Sequence, residues 1–194
     1  MEIRLEQLVV RLEQKDDYRE VENLTREAFW DVYRPGCSEH LVLHKLRNAK
    51  SFISDLDYVF VVDKKIIANI VYTKMFNEKG EMLNDVIAFG PISVHPEYQK
   101  RGIGKKIIEI SINRAKELGY KAVLITGNDK FYNPLGFEGA YKYGVTLPGM
   151  SVEDKAEFFM AMELEKGYLS KHSGVYNFDS LFNVTDEELE KFEL

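Results

Sequence analysis

The chain has 194 residues, of which 45% are hydrophobic and 30% charged, a balance that favours one compact domain over a disordered or fibrous chain. Its formal net charge of −6 argues against a nucleic-acid-binding surface, which needs an excess of basic residues. The single cysteine excludes a disulfide within the chain, and no segment approaches the ~20 apolar residues that span a bilayer. We therefore expect a cytoplasmic protein with neither nucleic-acid nor membrane partners.

The N-terminal part of the chain predicts one strand followed by two helices. The apolar run Leu8–Glu13 is typical of a strand. Asp17 and Glu20 have the spacing of a capping box and predict the start of the first helix. Beyond the break at Arg34-Pro35-Gly36, Ser38 is the predicted cap of the second helix.

Three strands are predicted next, at Tyr58–Val62, Ile66–Phe76 and Val86–Val94. The polar turn between the first two indicates an antiparallel hairpin. The third contains Gly90-Pro91, and a proline has no N–H to donate to a neighbouring strand. We therefore expect a bulge or a sheet edge at that point.

The second half of the chain begins with the clearest helix, which has isoleucines on one face and charges on the other. The predicted elements are a helix at Gly102–Leu118, a strand at Lys121–Thr126, a short helix at Asn128–Leu135, strands at Phe137–Thr146 and Ala156–Leu164, and a helix from Thr185 to Phe192. This order predicts an α/β (α+β) fold with a mixed sheet, antiparallel at first and locally parallel in the middle.

The segment Gln99–Gly104 connects a strand end to a helix that begins at two glycines. A helix N-terminus offers N–H groups to an anion, and glycines let the backbone approach closely. Two glycine motifs of nucleotide sites fail here: Ile107 replaces the third glycine of the dinucleotide fingerprint, and a P-loop would need Ser or Thr where Lys106 stands. An ordinary tight turn is the alternative interpretation.

Gln99-Lys100-Arg101-Gly102-Ile103-Gly104 resembles the Q/R-x-x-G-x-G/A pyrophosphate loop of the GCN5-related N-acetyltransferase (GNAT) superfamily. The preceding Ile92–Tyr98 resembles that family's central strand, and Phe131–Phe137 resembles its Tyr-x-x-x-Gly-Phe segment. Within the family, Gly127–Tyr132 and Phe159–Leu164 are similar to the YhbS-like branch. The resemblance implies a mostly antiparallel sheet, flanked by helices and splayed open between its central parallel strands.

The resemblance covers about Leu8 to Leu164, so we predict a GNAT domain at residues 1–164. Residues 165–194 are then a C-terminal extension that packs on the domain or on a second copy of the chain. The implied function is acetyl-CoA-dependent transfer of an acetyl group to an amine of a small molecule or protein. One alternative is a non-catalytic acyl-CoA-binding or sensing module; another is an interaction protein that acts through its extension.

The resemblance also implies roles for individual residues. Backbone groups of the strand end and the loop would hold the pantetheine arm and the pyrophosphate of acetyl-CoA: Ile92, Ser93, Val94, Gln99, Lys100, Arg101, Gly102, Ile103, Gly104 and Lys105. Tyr132 matches the family's general acid, which protonates the leaving thiolate; plain aromatic packing is the alternative. Asn128 either bonds the pantetheine arm or caps the short helix.

No general base is predicted, since Ala88 occupies the place of a family glutamate. Asp85 and Glu27 are interpreted as solvated carboxylates, with a chain of waters as another possible base. Cys37 has no supporting histidine in this interpretation and is expected to be structural. No metal site is predicted: His40 and His44 are assigned to an exposed helix face, and His95 and His172 join no ligand cluster.

The resemblance also implies an acceptor cleft walled by two loops, Phe29–Cys37 and Gly144–Asp154. The aromatic residues Phe29, Trp30 and Tyr33 on the first wall suit an apolar or a cationic acceptor. They equally suit ordinary packing.

Overall fold

The computed structural model describes residues 8–193. Its backbone contacts divide the chain into two compact units. Among the described residues, the first unit comprises 8–71, 91–111 and 180–193, and the second comprises 72–90 and 112–179.

The described residues form six α-helices and nine strands, and the strand predicted first along the chain is confirmed. The helices are α1 (Tyr18–Phe29), α2 (Glu39–Leu46), α3 (Ile103–Glu117), α4 (Asp129–Tyr132), α5 (Tyr168–Lys171) and α6 (Asp186–Glu193). The strands are β1 (Val9–Leu12), β2 (Tyr58–Val62), β3 (Lys65–Asn77), β4 (Met82–Val94), β5 (Ala122–Thr126), β6 (Glu138–Gly139), β7 (Val145–Thr146), β8 (Phe159–Glu163) and β9 (Gly174–Asn177).

The sheet is mixed, as predicted, and helices flank it. Its strand order is β1-β2-β3-β4-β5-β8-β6, and β9 pairs with β3 and β7. Strand β5 runs parallel to β4 and antiparallel to β8. None of the helices formed by residues 8–193 combines the length and apolarity that crossing a bilayer requires.

The first unit packs α1 and α2 on an antiparallel ladder of β1, β2 and the first part of β3. The ladder places Val9 opposite Val61, and Tyr58 opposite Ile70. The helices bury their apolar stripes, because side chains three and four positions apart share a face. The buried cluster consists of Val21, Leu24, Val42, Leu43, Leu46, Val59, Ile66 and Val71.

The predicted capping box at the start of α1 is wrong, although the helix itself is confirmed. Asp17 makes no side-chain cap; its carboxylate accepts two hydrogen bonds from Arg11, at 2.6 and 2.9 Å, and this contact lowers the pKa of Asp17. Glu20 instead accepts the backbone N–H of Ile66. Ser38 likewise makes no side-chain cap at α2. Asp17 also accepts the Gln14 N–H at 2.8 Å, so its carboxylate is engaged one turn before α1, whereas Glu20 binds a partner far along the chain.

A buried charge cluster joins α1, α2 and the β1–β2 ladder. The Arg47 guanidinium donates to Glu13 at 2.6 and 3.0 Å and to Glu22 at 2.6 Å. Its side chain is 2% exposed, and that of Glu13 is 0% exposed. Asp57 hydrogen-bonds Glu13 and accepts from Asn69 Nδ2 at 3.0 Å. Burial, followed by the Glu13 contact, holds the pKa of Asp57 far above its ordinary 3.8.

Asp57→Asn is expected to raise the free energy of unfolding at neutral pH by about 1–3 kcal/mol. A folded pKa above the unfolded value means that stability is fully present below pH 3.8 and is lost as pH rises toward the folded pKa. The amide keeps both hydrogen bonds and needs no proton. Urea unfolding between about pH 5 and pH 8 measures the effect. Equal pH slopes for the variant and the parent would contradict it.

The second unit is built around β5, which lies between the first part of β4 and β8. The parallel register joins Val86 to Ala122 and Ala88 to Leu124. Beyond Leu124, β5 continues in register with β8 to Thr126, opposite Phe159. The core here consists of Met75, Val86, Ala88, Ala122, Leu124, Ala140, Val145, Phe159, Ala161, Leu169 and Tyr176.

The prediction of one strand at Phe137–Thr146 is wrong. Two short strands, β6 and β7, are separated by a 3-10 turn at Ala140–Tyr143 that ends at Gly144, with φ of 71°. A Cβ at Gly139 would overlap the Tyr141 ring, so the turn depends on glycine at its entry as well as at its exit. The second late strand is confirmed in shortened form as β8.

The first part of the C-terminal extension completes the second unit. Strand β9 pairs antiparallel with the end of β3, placing Phe76 opposite Asn177, and parallel with β7. The Tyr176 hydroxyl donates to the carbonyl of His172 at 2.6 Å. The final segment, 180–193, lies in the first unit and ends in α6.

Candidate functional site

The side chains at the C-terminal end of β4 alternate between half-buried and fully buried. Ser93 is fully buried and its hydroxyl donates to Thr25 of α1 at 2.8 Å, whereas Ile92 and Val94 are only half-buried. Just before them, Gly90 has φ of 144° and Pro91 cannot donate a ladder hydrogen bond. Gly90 therefore departs from regular strand geometry at the place where a bulge or a sheet edge was predicted.

The loop between β4 and α3 is shaped by two residues with positive φ. Lys100 has φ of 58° and Gly102 has φ of 80°, and a Cβ at Gly102 would meet open space. The Gln99 side chain donates to the carbonyl of Val94 at 3.0 Å and so closes the loop onto the strand end. His95 accepts the Glu97 N–H and caps the intervening 3-10 turn.

Helix α3 begins at this loop, and its first turn is chemically suited to an anion. The Lys106 N–H is bonded to the Gly102 carbonyl, so the N–H groups of Gly102 through Lys105 have no acceptor within the helix. The helix is 15 residues long, which is enough for a positive dipole end, and its first turn contains no acidic residue. Lys100, Arg101 and Lys105 are exposed around it.

In the second unit, Tyr132 lies at the end of α4 with 8% of its surface exposed. Its ring packs against Phe89, Phe131 and Phe137, with centroids 4.9–5.9 Å apart. A Cβ at Gly127 would lie 2.7 Å from Cε2 of Tyr132, so this ring position requires glycine there. Gly136, with φ of 97°, ends the segment.

Asn128 forms the N-cap of α4. Its Oδ1 accepts the Lys130 N–H at 3.0 Å. Of the two roles left open for this residue, the capping role is confirmed, and it uses only the oxygen of the amide.

Comparisons with known proteins identify this arrangement. A family model described as an acetyltransferase (GNAT) domain matches residues 55–139, which contain the loop, α3 and Tyr132. YhbS of Escherichia coli K12, an uncharacterized N-acetyltransferase, is 23% identical over 176 residues, covering 91% of this chain and 99% of YhbS. The crystal structure of E. coli YhbS in complex with CoA has a TM-score of 0.79, with 92% and 93% of the chains covered at 22% identity.

Residues 55–139 therefore match a GNAT domain. Over most of its length the chain is YhbS-like in sequence and fold, as its sequence predicted. A GNAT acetyltransferase from Brucella melitensis, solved in complex with acetyl-CoA, has the same fold at 20% identity, with a TM-score of 0.74 and coverage of 91% and 98%. YjhQ of E. coli K12 is 32% identical over 75 residues, which is 38% of this chain and 41% of YjhQ.

The GNAT domain leaves the general base unassigned. Ala88 is fully buried and pairs with Leu124. Asp85 is exposed and accepts a hydrogen bond from the Tyr168 hydroxyl at 3.2 Å. The Glu27 side chain is 59% exposed and lies 3.4 Å from His95 Nε2. The interpretation of Asp85 and Glu27 as solvated carboxylates remains the simplest for these surroundings.

Cys37 does have a histidine neighbour, contrary to the sequence-based expectation. His40 Nδ1 lies 3.4 Å from its Sγ, and His40 is buried rather than on an exposed helix face. The spacing of three residues could have revealed this contact. Burial raises the pKa of the Cys37 thiol to about 11 and lowers that of His40, so both are neutral at physiological pH. This supports a structural thiol.

His44 matches its prediction, with a half-exposed side chain beside Glu22. Within residues 8–193, no three His, Cys, Asp or Glu side chains converge as they would around a metal ion.

Proposed function

We propose that this GNAT protein is an N-acetyltransferase that moves an acetyl group from acetyl-CoA to an amine of a small molecule or protein. The observation that carries the proposal is the exposed, cationic loop with positive φ at Lys100 and Gly102, which leads into the acid-free first turn of α3. Complexes of YhbS with CoA and of the Brucella protein with acetyl-CoA support the same donor for this fold.

In this proposal the N–H groups of Gly102, Ile103, Gly104 and Lys105 bind the pyrophosphate. Lys100 and Arg101 add positive charge, and Gln99 holds the loop against β4. The half-exposed strand end supplies the rest of the site: the backbone of Ile92 and Val94 pairs with the pantetheine arm, while Ser93 anchors the strand to α1.

The transfer is direct. The neutral amine attacks the thioester carbonyl, the new C–N bond forms, and the C–S bond breaks as the electron pair leaves on sulfur. Tyr132 donates its phenolic proton to that thiolate, the proton released by the amine passes to solvent, and solvent returns a proton to the Tyr132 phenolate. Much of the rate gain comes from holding both substrates together. Asn128 caps α4 through its amide oxygen, which leaves its amide nitrogen to donate to the pantetheine arm.

The test is a calorimetric titration with acetyl-CoA, followed by a thiol-release assay over a panel of amines. Saturable binding and amine-dependent thiol release are expected. Binding with no release from any amine would favour the non-catalytic sensing module. Absence of binding would refute the role of the loop.

Gly104→Glu is expected to weaken acetyl-CoA binding at least about tenfold, since a carboxylate in the first turn of α3 repels the pyrophosphate. The fold should not suffer, because glutamate is a better helix former than glycine and an acid at a helix N-terminus is favourable. The matched control is Asn113→Glu, which adds the same charge at an exposed position about 13 Å further along the helix.

Titration calorimetry and thermal unfolding of both variants give the result. Retained affinity in Gly104→Glu, or an equal loss in Asn113→Glu, would contradict pyrophosphate binding at this turn.

A further inference from the structure

The C-terminal segment packs on the helix pair of the first unit. Leu181, Phe182 and Val184 lie against the buried cluster that α1 and α2 share with the sheet. Further along, the Phe192 ring of α6 lies 4.8 Å from the His44 ring and 5.6 Å from that of His40. Apolar contacts of the segment before α6 and aromatic contacts at the end of α6 therefore hold this helix against α2.

Ion pairs extend these contacts toward the connection between α1 and α2. Lys45 donates to Glu188 at 2.7 Å, and this contact, with the Thr185 N–H, lowers the pKa of Glu188 to about 2. Asp186 accepts from Arg34 at 2.9 Å. Arg34 belongs to the α1–α2 loop, residues 30–38, so α6 contacts this loop directly.

A second route links α6 to the same loop. The carboxylate of Glu193 lies 3.6 Å from Nε of Arg26, and the Arg26 guanidinium lies 4.2 Å above the Trp30 ring. Trp30 is the first residue of the loop and is 44% exposed. Arg26 therefore couples the end of α6 to the aromatic side chain at the start of the loop.

The loop is an irregular segment with an exposed tip. Asp31 has φ of 58° and Gly36 has φ of 72°, and their backbones bond each other at 3.0 Å across the turn. Between them, Val32 and Tyr33 are exposed, the latter at 77%. Few apolar contacts restrain such a tip, and segments of this kind open at low free-energy cost.

We propose that α6 is a tether that holds the α1–α2 loop through Asp186 and Glu193, and that this positioning is required for normal binding of the amine acceptor. The tether itself rests on the contacts within the first unit. Its effect on acceptor binding rests on the proposed function, with this loop as one wall of the acceptor cleft. Asp186 and Glu193 are positioning residues, because they act through Arg34 and Arg26.

The test compares two double variants. Asp186→Asn/Glu193→Gln removes both loop contacts. The control, Glu187→Gln/Glu190→Gln, makes the same charge change at exposed positions of α6, where Glu187 pairs only with Lys191 among the ion pairs described. Surface ion pairs are individually weak, so amide hydrogen exchange at residues 30–37 is expected to quicken about two- to fivefold in the first variant and not in the control.

Trp30 is the only tryptophan of the chain, so its fluorescence reports directly on this loop. Quenching by acrylamide is expected to increase in Asp186→Asn/Glu193→Gln alone. Unchanged exchange and quenching would overturn the tether. These measurements need no substrate, so they decide it even if the protein transfers no acetyl group.

Once the thiol-release assay has found an acceptor, the acceptor KM of Asp186→Asn/Glu193→Gln is expected to be about two- to fivefold higher than that of the parent, at unchanged kcat and acetyl-CoA affinity. A looser loop with an unchanged acceptor KM would overturn the role in acceptor binding while leaving acetyl transfer intact.

Discussion

Arg47→Met is expected to lower the free energy of unfolding by about 3–5 kcal/mol, the usual loss when one partner of a buried ion pair is removed. The guanidinium neutralises Glu13, whose side chain is fully buried, and Glu22, at 2.6 Å each. Methionine fills much of the volume but provides no hydrogen bond. The variant therefore retains buried negative charge that water cannot reach.

The matched control is Arg114→Met, because the Arg114 side chain is 42% exposed and pairs with Glu117 on the surface of α3. That change should cost less than about 1 kcal/mol. Urea unfolding at neutral pH compares the two variants. Equal losses at the two arginines would show that the cluster is no stronger than a surface pair.

Tyr132→Phe is expected to lower kcat for acetyl transfer about 100-fold or more while leaving acetyl-CoA affinity nearly unchanged, the effect of losing a general acid. Phenylalanine keeps the ring contacts with Phe89 and Phe137, so the fold and the aromatic packing should persist. Only the proton donor is removed. A slower reaction at unchanged binding therefore separates the catalytic role of Tyr132 from plain packing.

The control variant removes the hydroxyl group of a second tyrosine that is buried to a similar extent. Tyr176, 6% exposed, donates its hydroxyl to a backbone carbonyl in the C-terminal extension, and Tyr176→Phe should leave kcat within about twofold of the parent. Steady-state thiol release and calorimetry give both constants for each variant. Turnover of Tyr132→Phe equal to that of the parent would refute the assigned role.

Periodicity and glycine positions were sufficient to predict much of this fold. The isoleucine stripe of α3, the hairpin of β2 and β3, and strand β5 were predicted from sequence and are confirmed within a few residues. The loop at Gln99–Gly104 was also recognised from its two glycines at a helix entry, and Gly102 has a positive φ, which glycine adopts readily. These features depend on backbone geometry over a few residues, so a local pattern determines them.

The partners of polar side chains were decided only by the tertiary structure. Asp17 and Glu20 have the local spacing of a capping box, yet Arg11 and the Ile66 N–H bind them instead. The expected strand at Phe137–Thr146 is broken by a turn. A short sequence pattern indicates which kinds of partner a side chain can bind. The path of the chain through the fold determines which of those partners lies within hydrogen-bond distance.

The amino-acid sequence by itself determined the order of strands and helices from β1 to α4 and the similarity to the GNAT superfamily. Only the tertiary structure revealed the buried cluster around Arg47 and the packing of α6 against the α1–α2 loop. The physical reason is range: secondary structure follows from hydrogen bonds and periodicity between near neighbours, while burial and charge pairing join residues far apart in the chain.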